Sequence, residues 1–220
     1  MIVTAALALA LTPSTQDAKP RFEDEIAAFE TADRAKPPTP GSVLFVGSSS
    51  IRMWSTLERD FPAYRVLNRG FGGSRIDDSV RLVDRIVVPY KPRAIVFFAG
   101  TNDLADGQAP KEVFDQYREF VSRVRTAFPR LPILYIAISP APSRQALWPK
   151  MRETNALIRE YAKRTPGLQF VDIVPAMLTR AGGPRPELFG QDQLHMNAQG
   201  YAIWTKAVNA ALARPGTFRR

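Results

Sequence analysis

The chain has 220 residues, 45 % hydrophobic and 23 % charged, which fits one folded domain with a substantial core. Without cysteine it can form neither disulfides nor thiolate sites, and with one histidine no dedicated zinc or copper site and no cofactor is expected, although an oxygen-ligand site stays open. The net charge of +9 raises nucleic acid as a partner, but bases and acids alternate in Arg118-Glu119, Arg152-Glu153 and Arg159-Glu160, so solvated helix faces are expected instead.

Ile2 to Leu11 is an apolar run too short to span a bilayer, and Ala8-Leu9-Ala10 has small residues at the spacing a signal peptidase reads. Residues 1–18 are therefore expected to be an export signal, giving a periplasmic or secreted protein without stable membrane insertion. No Lys or Arg precedes the run, which leaves a cytoplasmic protein with an N-terminal extension as the alternative. Phe22, Ile26, Ala27 and Phe29 space a helix within Arg21–Lys36, and the proline-rich Pro37–Gly41 ends it, so 19–42 read as helix and linker.

Short apolar runs of the kind buried on both faces of a sheet follow at Val43–Val46, Arg65–Leu67, Ala94–Phe98, Ile133–Ile138 and Leu168–Val171. Helical stretches separate and follow them, at about Ile51–Asp60, Ile76–Val87, Lys111–Ala127, Gln145–Lys163 and Ala198–Ala213. The alternation, with no hairpin signal, predicts an α/β fold with a parallel sheet and helices on both faces. Residues 214–220, ending in Arg219-Arg220, form a basic tail.

Four polar segments lie at or beyond strand ends, where open parallel sheets build their sites. Gly47-Ser48-Ser49-Ser50 suits a nucleophile, an anion-binding loop or a plain serine helix cap. Asn68-Arg69-Gly70-Phe71-Gly72-Gly73-Ser74 suits backbone donation to an oxyanion or a simple turn. Gly100-Thr101-Asn102-Asp103 offers a side-chain amide or an Asx-turn. Asp192-Gln193-Leu194-His195 places an acid three residues before the only imidazole, as a general base with a fixed tautomer requires.

Gly47-x-Ser49, Gly73, Gly100-x-Asn102 and Asp192-x-x-His195 resemble, in order and spacing, the four blocks of the SGNH (GDSL-type) hydrolases. Asn68-x-Gly70-x-Gly72-Gly73 and Leu194-His195-x-Asn197-x-x-Gly200-Tyr201 are similar to the branch holding the platelet-activating-factor acetylhydrolase catalytic subunits and their bacterial relatives. The resemblance implies a flavodoxin-like three-layer α/β/α sandwich with a five-stranded parallel sheet over residues 43–213. It implies Ser49 as nucleophile, His195 as base, Asp192 as its orienting acid, and an oxyanion hole from Ser49, Gly73 and Asn102. The first block usually reads Gly-Asp-Ser, whereas here Ser48 stands in the middle.

The expected activity is hydrolysis of a short-chain, chiefly acetyl, ester through an acyl-enzyme. Alternatives are a carbohydrate O-acetylesterase, a lysophospholipase- or thioesterase-type enzyme, or a non-catalytic binding module on the same fold. The expected partner is a small ester or acetylated glycan and not nucleic acid, and the oligomeric state is left open. Trp54, Phe71, Leu104, Trp148 and Leu194 lie near the motif loops and are candidates to line a substrate pocket.

Overall fold

All five apolar runs become strands of one parallel sheet in the computed structural model, which describes residues 20–218. Residues 1–18, where an export signal is expected, and Arg219-Arg220 lie outside the described residues. The strands are β1 (Val43–Gly47), β2 (Val66–Gly70), β3 (Ala94–Phe98), β4 (Ile133–Ile136) and β5 (Leu168–Val171), in the spatial order β2-β1-β3-β4-β5. This is the flavodoxin-like order, in which the chain runs outward from β1 to β2 and then returns past β1 to β3. Gly47 pairs with Gly70 on one side and Phe98 on the other, so three strands end level.

The helices are α1 (Glu23–Ala35), α2 (Ser49–Arg52), α3 (Leu57–Asp60), α4 (Ile76–Arg81), α5 (Val83–Ile86), α6 (Thr101–Ala105), α7 (Pro110–Ala127), α8 (Trp148–Arg164), α9 (Val174–Met177) and α10 (Ala198–Leu212). Side chains alternate along each strand and so feed two cores. Leu44, Val46, Ile95, Phe97 and Tyr135 cluster with residues of α1, α4, α5, α7 and α8. Val43, Phe45, Val96, Phe98 and Leu134 cluster with α2, α3, α9 and α10. The result is the three-layer α/β/α sandwich. Among the described residues no helix is long and apolar enough to cross a membrane.

Several boundaries differ from the sequence expectation for local reasons. The stretch Ile51–Asp60 is two short helices, because the chain turns inward between them to bury Trp54, whose indole N–H donates to Asp60 Oδ2 at 2.8 Å. The stretch Ile76–Val87 divides at Leu82 into α4 and α5. Helix α8 starts at Trp148 rather than Gln145, with Pro149 in its first turn, where a missing N–H costs nothing.

Strand β4 stops at Ile136 although Ala137 and Ile138 are equally buried. Asn155 of α8 intercepts the next backbone groups: its Oδ1 accepts the Ile138 N–H at 3.0 Å and its Nδ2 donates to the Ile138 carbonyl at 2.7 Å. Removing this amide strands a buried donor and a buried acceptor. Asn155→Ala is expected to cost about 3 kcal/mol in urea unfolding. A loss below about 1 kcal/mol would show that these groups find other partners.

Candidate active site

The first site loop is shaped by two close approaches. Gly47 has φ +142°, and a Cβ there would lie 1.9 Å from the Phe98 carbonyl oxygen, so β1 can end beside β3 only with glycine. At Gly70 a Cβ would meet the Arg52 nitrogen at 2.3 Å, so α2 lies directly against the end of β2. Asn68 reinforces the packing, its Nδ2 donating to the Ile51 carbonyl at 2.7 Å and its Oδ1 accepting the Gly70 N–H at 2.9 Å. Ser49 therefore opens α2 at a braced corner over the sheet's carboxyl edge.

The imidazole comes from a loop 146 residues further on that supports itself. Asp192 Oδ1 accepts the backbone N–H groups of Leu194 at 3.0 Å and His195 at 2.9 Å, and its Oδ2 lies 2.6 Å from His195 Nδ1. The other ring nitrogen, Nε2, lies 2.9 Å from Ser49 Oγ. The hydrogen bond to His195, aided by the two backbone donors, holds the Asp192 carboxyl down at about 2. Gln193 takes a left-handed turn (φ 52°) between them. Asn197 caps α10 by accepting the Gln199 and Gly200 N–H groups, and the Tyr201 hydroxyl donates to the Ser50 carbonyl at 2.9 Å, tying α10 to the Ser49 corner.

Of the three consecutive serines, Ser49 is thus the one brought to the imidazole, while the buried Ser48 hydroxyl lies 3.3 Å from Asn102 Nδ2. That amide also donates to the Ser74 carbonyl at 3.0 Å. Gly73 is exposed in a left-handed turn (φ +71°) and reaches the site through its neighbour Ser74. The GDSL-like lipase/acylhydrolase family profile matches residues 42–203, most of the chain. The chain belongs to that family. It is accordingly a carboxylic ester hydrolase.

Solved structures agree on the fold. A Streptococcus pneumoniae protein provisionally described as a platelet activating factor superposes with a TM-score of 0.76 at 19 % identity, covering 86 % of this chain and 92 % of its own. A GDSL-like lipase from Bacteroides thetaiotaomicron gives 0.73 at 20 % identity, covering 85 % and 96 %. A variant of a Geobacillus acetyl-xylooligosaccharide esterase gives 0.64 at 16 % identity, covering 83 % and 99 %. No curated protein matches the sequence.

In this GDSL-family protein the cavity beside Ser49 is small, about 40 Å³, and is walled by Phe98, Ala141, Phe189, Leu194, Met196 and Trp204. Of the five side chains proposed to line a pocket, only Leu194 does so. Trp54, Phe71 and Leu104 are fully buried and belong to the two cores, because the chain packs back on the sheet within or just after each site loop. Trp148 is half-buried against the same core as Phe71. The wall residues missed in sequence carried a weak signal: Phe98 ends β3, and Trp204 continues the inward face of α10 from Tyr201.

Asp103 ties two loops together. Its side chain is fully buried, and Oδ1 accepts the Ile76 N–H at 2.9 Å, joining the Asn102 loop to the start of α4. Oδ2 has no hydrogen-bond partner among the described residues. Burial pushes this carboxyl up to about 6 against the opposing pull of the Ile76 N–H.

An unfolded aspartate ionises near 3.9, so the folded state carries a penalty for charged Asp103 above about pH 6. The penalty fades as pH falls through the folded value and is gone below the unfolded one. Shifting from 3.8 to about 6 corresponds to about 3 kcal/mol. The stability of wild type relative to Asp103→Asn, by urea unfolding, is expected to improve by about that amount from pH 7 to pH 4. A difference that stays constant over this range would show that Asp103 is not held as a raised, buried acid.

Proposed function

We propose that the chain is a serine esterase that removes short acyl groups, chiefly acetyl, through an acyl-enzyme on Ser49. The observation that carries this reading is the unbroken line Ser49 Oγ, His195 and Asp192, with contacts of 2.9 and 2.6 Å. A serine hydroxyl is a weak nucleophile until an adjacent base can take its proton. Here Nε2 is within reach of that proton, and Asp192, ionised at every pH above about 2, keeps the other ring proton on Nδ1.

Ser49 Oγ attacks the ester carbonyl carbon as its proton passes to Nε2. The carbonyl oxygen, now carrying the charge, is received by the Ser49 and Gly73 N–H groups and by Asn102. One N–H of the Asn102 amide anchors it to Ser74, and the other, now toward Ser48 Oγ, turns to the oxyanion. The imidazolium gives its proton to the departing alcohol. Water then attacks the acyl-enzyme by the same route in reverse, releasing the acid and free Ser49. Each fixed oxyanion donor is worth on the order of 3 kcal/mol in such a step.

The acyl preference follows from space. A cavity of about 40 Å³ takes about three water-sized groups, the size of an acetyl unit, and the buried Phe98, Phe189 and Trp204 rings form part of its wall. That argues against lysophospholipase or long-chain thioesterase activity. A groove of about 470 Å³ shares Met196 with the cavity and carries Ser55, Arg59, Tyr201 and Lys206, polar groups suited to a sugar alcohol. The Geobacillus relative acts on acetylated xylo-oligosaccharides, and an exported enzyme would meet O-acetylated polysaccharide; both favour a carbohydrate O-acetyl group as the natural target.

Hydrolysis of p-nitrophenyl acetate, butyrate and octanoate tests the reading. Acetate is expected to be cleaved at least about tenfold faster than octanoate, and Ser49→Ala is expected to fall by several powers of ten. A Ser49→Ala variant keeping more than about 1 % of turnover would remove Ser49 from the nucleophile role.

Because Asp192 is ionised above about pH 2, its protonation should add nothing to the acid limb of kcat/KM above pH 4. An Asp192 carboxyl found by NMR to titrate between pH 4 and 8 would contradict this.

A further inference from the structure

The family profile begins at residue 42, so helix α1 lies outside it, yet α1 reaches the loop that carries Gly73. Glu25 Oε2 accepts the Gly72 N–H at 2.9 Å, and Arg21 Nη2 donates to the Gly73 carbonyl at 3.0 Å. These two bonds grip the backbone on either side of the Gly72–Gly73 peptide, whose N–H is the Gly73 donor. The phenyl ring of Phe22 stands edge-on to Phe71 at 5.0 Å, although Phe22 must adopt φ 70° to put it there. A bulky residue in the left-handed region costs on the order of 1–3 kcal/mol and persists only where its surroundings demand it.

The loop needs such a grip. Gly72 and Gly73 have no side chains to anchor them; a Cβ at Gly73 would meet nothing within 4 Å, whereas one at Gly72 would lie 2.8 Å from the Arg52 guanidinium carbon, so the packing that supports Gly72 stops short of Gly73. Helix α1 itself is well fixed. Its Asp33 pairs with Arg69, a buried guanidinium held between the Phe29 and Tyr90 rings at 4.9 and 4.5 Å. Its Glu23 and Glu30 both bind Arg85 of α5.

We propose that α1 and the turn leading into it are a working part of the catalytic site, with Glu25 and Arg21 as positioning residues that hold the Gly73 N–H toward the oxyanion. The role rests on the esterase reading above, in which Gly73 is a donor. A donor in a fixed place needs no reorganisation as charge develops, whereas a glycine peptide free to rotate would give up part of its contribution. The loss then falls on kcat rather than on substrate binding.

The test measures kcat and KM for p-nitrophenyl acetate, the rate of inactivation by a serine-reactive phosphonate, and the melting temperature. Glu25→Ala and Arg21→Ala are each expected to lower kcat about tenfold, with KM within about twofold of wild type and phosphonate inactivation slowed in parallel. Glu25→Gln retains a carbonyl oxygen for the Gly72 N–H and is expected to recover most of the loss. Glu30→Gln removes an ion pair from the same helix without touching the loop, and is expected to leave kcat unchanged even if it melts as early as Glu25→Ala.

A kcat for both alanine variants within twofold of wild type would overturn the proposal. So would a Glu25→Gln variant as slow as Glu25→Ala, or a Glu30→Gln variant equally slow. Should Glu25→Ala not fold, Arg21→Ala and Glu25→Gln carry the comparison. Wild-type protein that neither cleaves any ester nor reacts with the phosphonate would instead defeat the esterase reading, and the role of α1 with it.

Discussion

The site depends on how closely β1 and β3 approach at their carboxyl ends. With a Cβ position only 1.9 Å from the Phe98 carbonyl, Gly47 lets the Ser48 N–H bond that carbonyl at 3.0 Å while its own carbonyl accepts the Phe71 N–H at 2.9 Å. Three site loops are therefore referenced to one residue. A side chain there would push apart the strands that launch Ser49 and Asn102. The strand order adds the other requirement, because successive connections leave toward opposite faces and open a crevice between them. Helix α2 joins the core of one face and α4 and α6 that of the other, so serine and amide meet across the gap.

Into that crevice the imidazole is brought as a finished unit. The Asp192–His195 loop is organised by its own acid, and Asn197 binds the carbonyls of Glu187 and Phe189 while capping α10. The distance between His195 and Ser49 is then set by how α10 docks. Two contacts govern the docking. The Tyr201 hydroxyl bonds Ser50, and Gly200 packs where a Cβ would lie 2.6 Å from the Leu188 carbonyl. Orientation of the imidazole and its distance from Ser49 are thus controlled by separate parts of the chain.

What could be read from sequence alone follows the range of the forces involved. Strands buried on both faces announce themselves as uninterrupted apolar runs, so Val43–Val46 and Ala94–Phe98 were legible, and the polar blocks just past them were legible as site loops. Ser49, Asp192 and His195 stood out because the motif spacing is short and the chain has a single histidine. Pocket walls were not legible in the same way. Trp54, Phe71 and Leu104 adjoin the motifs in sequence, but their size drives them into the cores, and the cavity is walled by Phe98, Phe189 and Trp204 from three separate segments. The ends of β4 and α2 were set by tertiary partners, Asn155 and the buried Trp54, that no local pattern records. The grip of α1 on Gly72 and Gly73 spans 47 and 52 residues and was equally hidden.

A common device runs through the rim of the site. Asp192 accepts the N–H groups of Leu194 and His195, Asp103 that of Ile76, Asp78 that of Arg75, and Glu25 that of Gly72. Every loop at the crevice except the Ser49 corner is held by a carboxylate on a backbone donor, and such charge-assisted bonds are about twice as strong as neutral ones. Esterase chemistry explains the need, because backbone donors stabilise an oxyanion only if they are already in place. It also bears on the charge of the protein. With 21 acids against 30 lysines and arginines, several acids are occupied at the rim, while cations such as Arg59 and Arg164, with side chains 80 % and 82 % exposed, face solvent. Those rim acids spend their charge on backbone donors rather than on these cations.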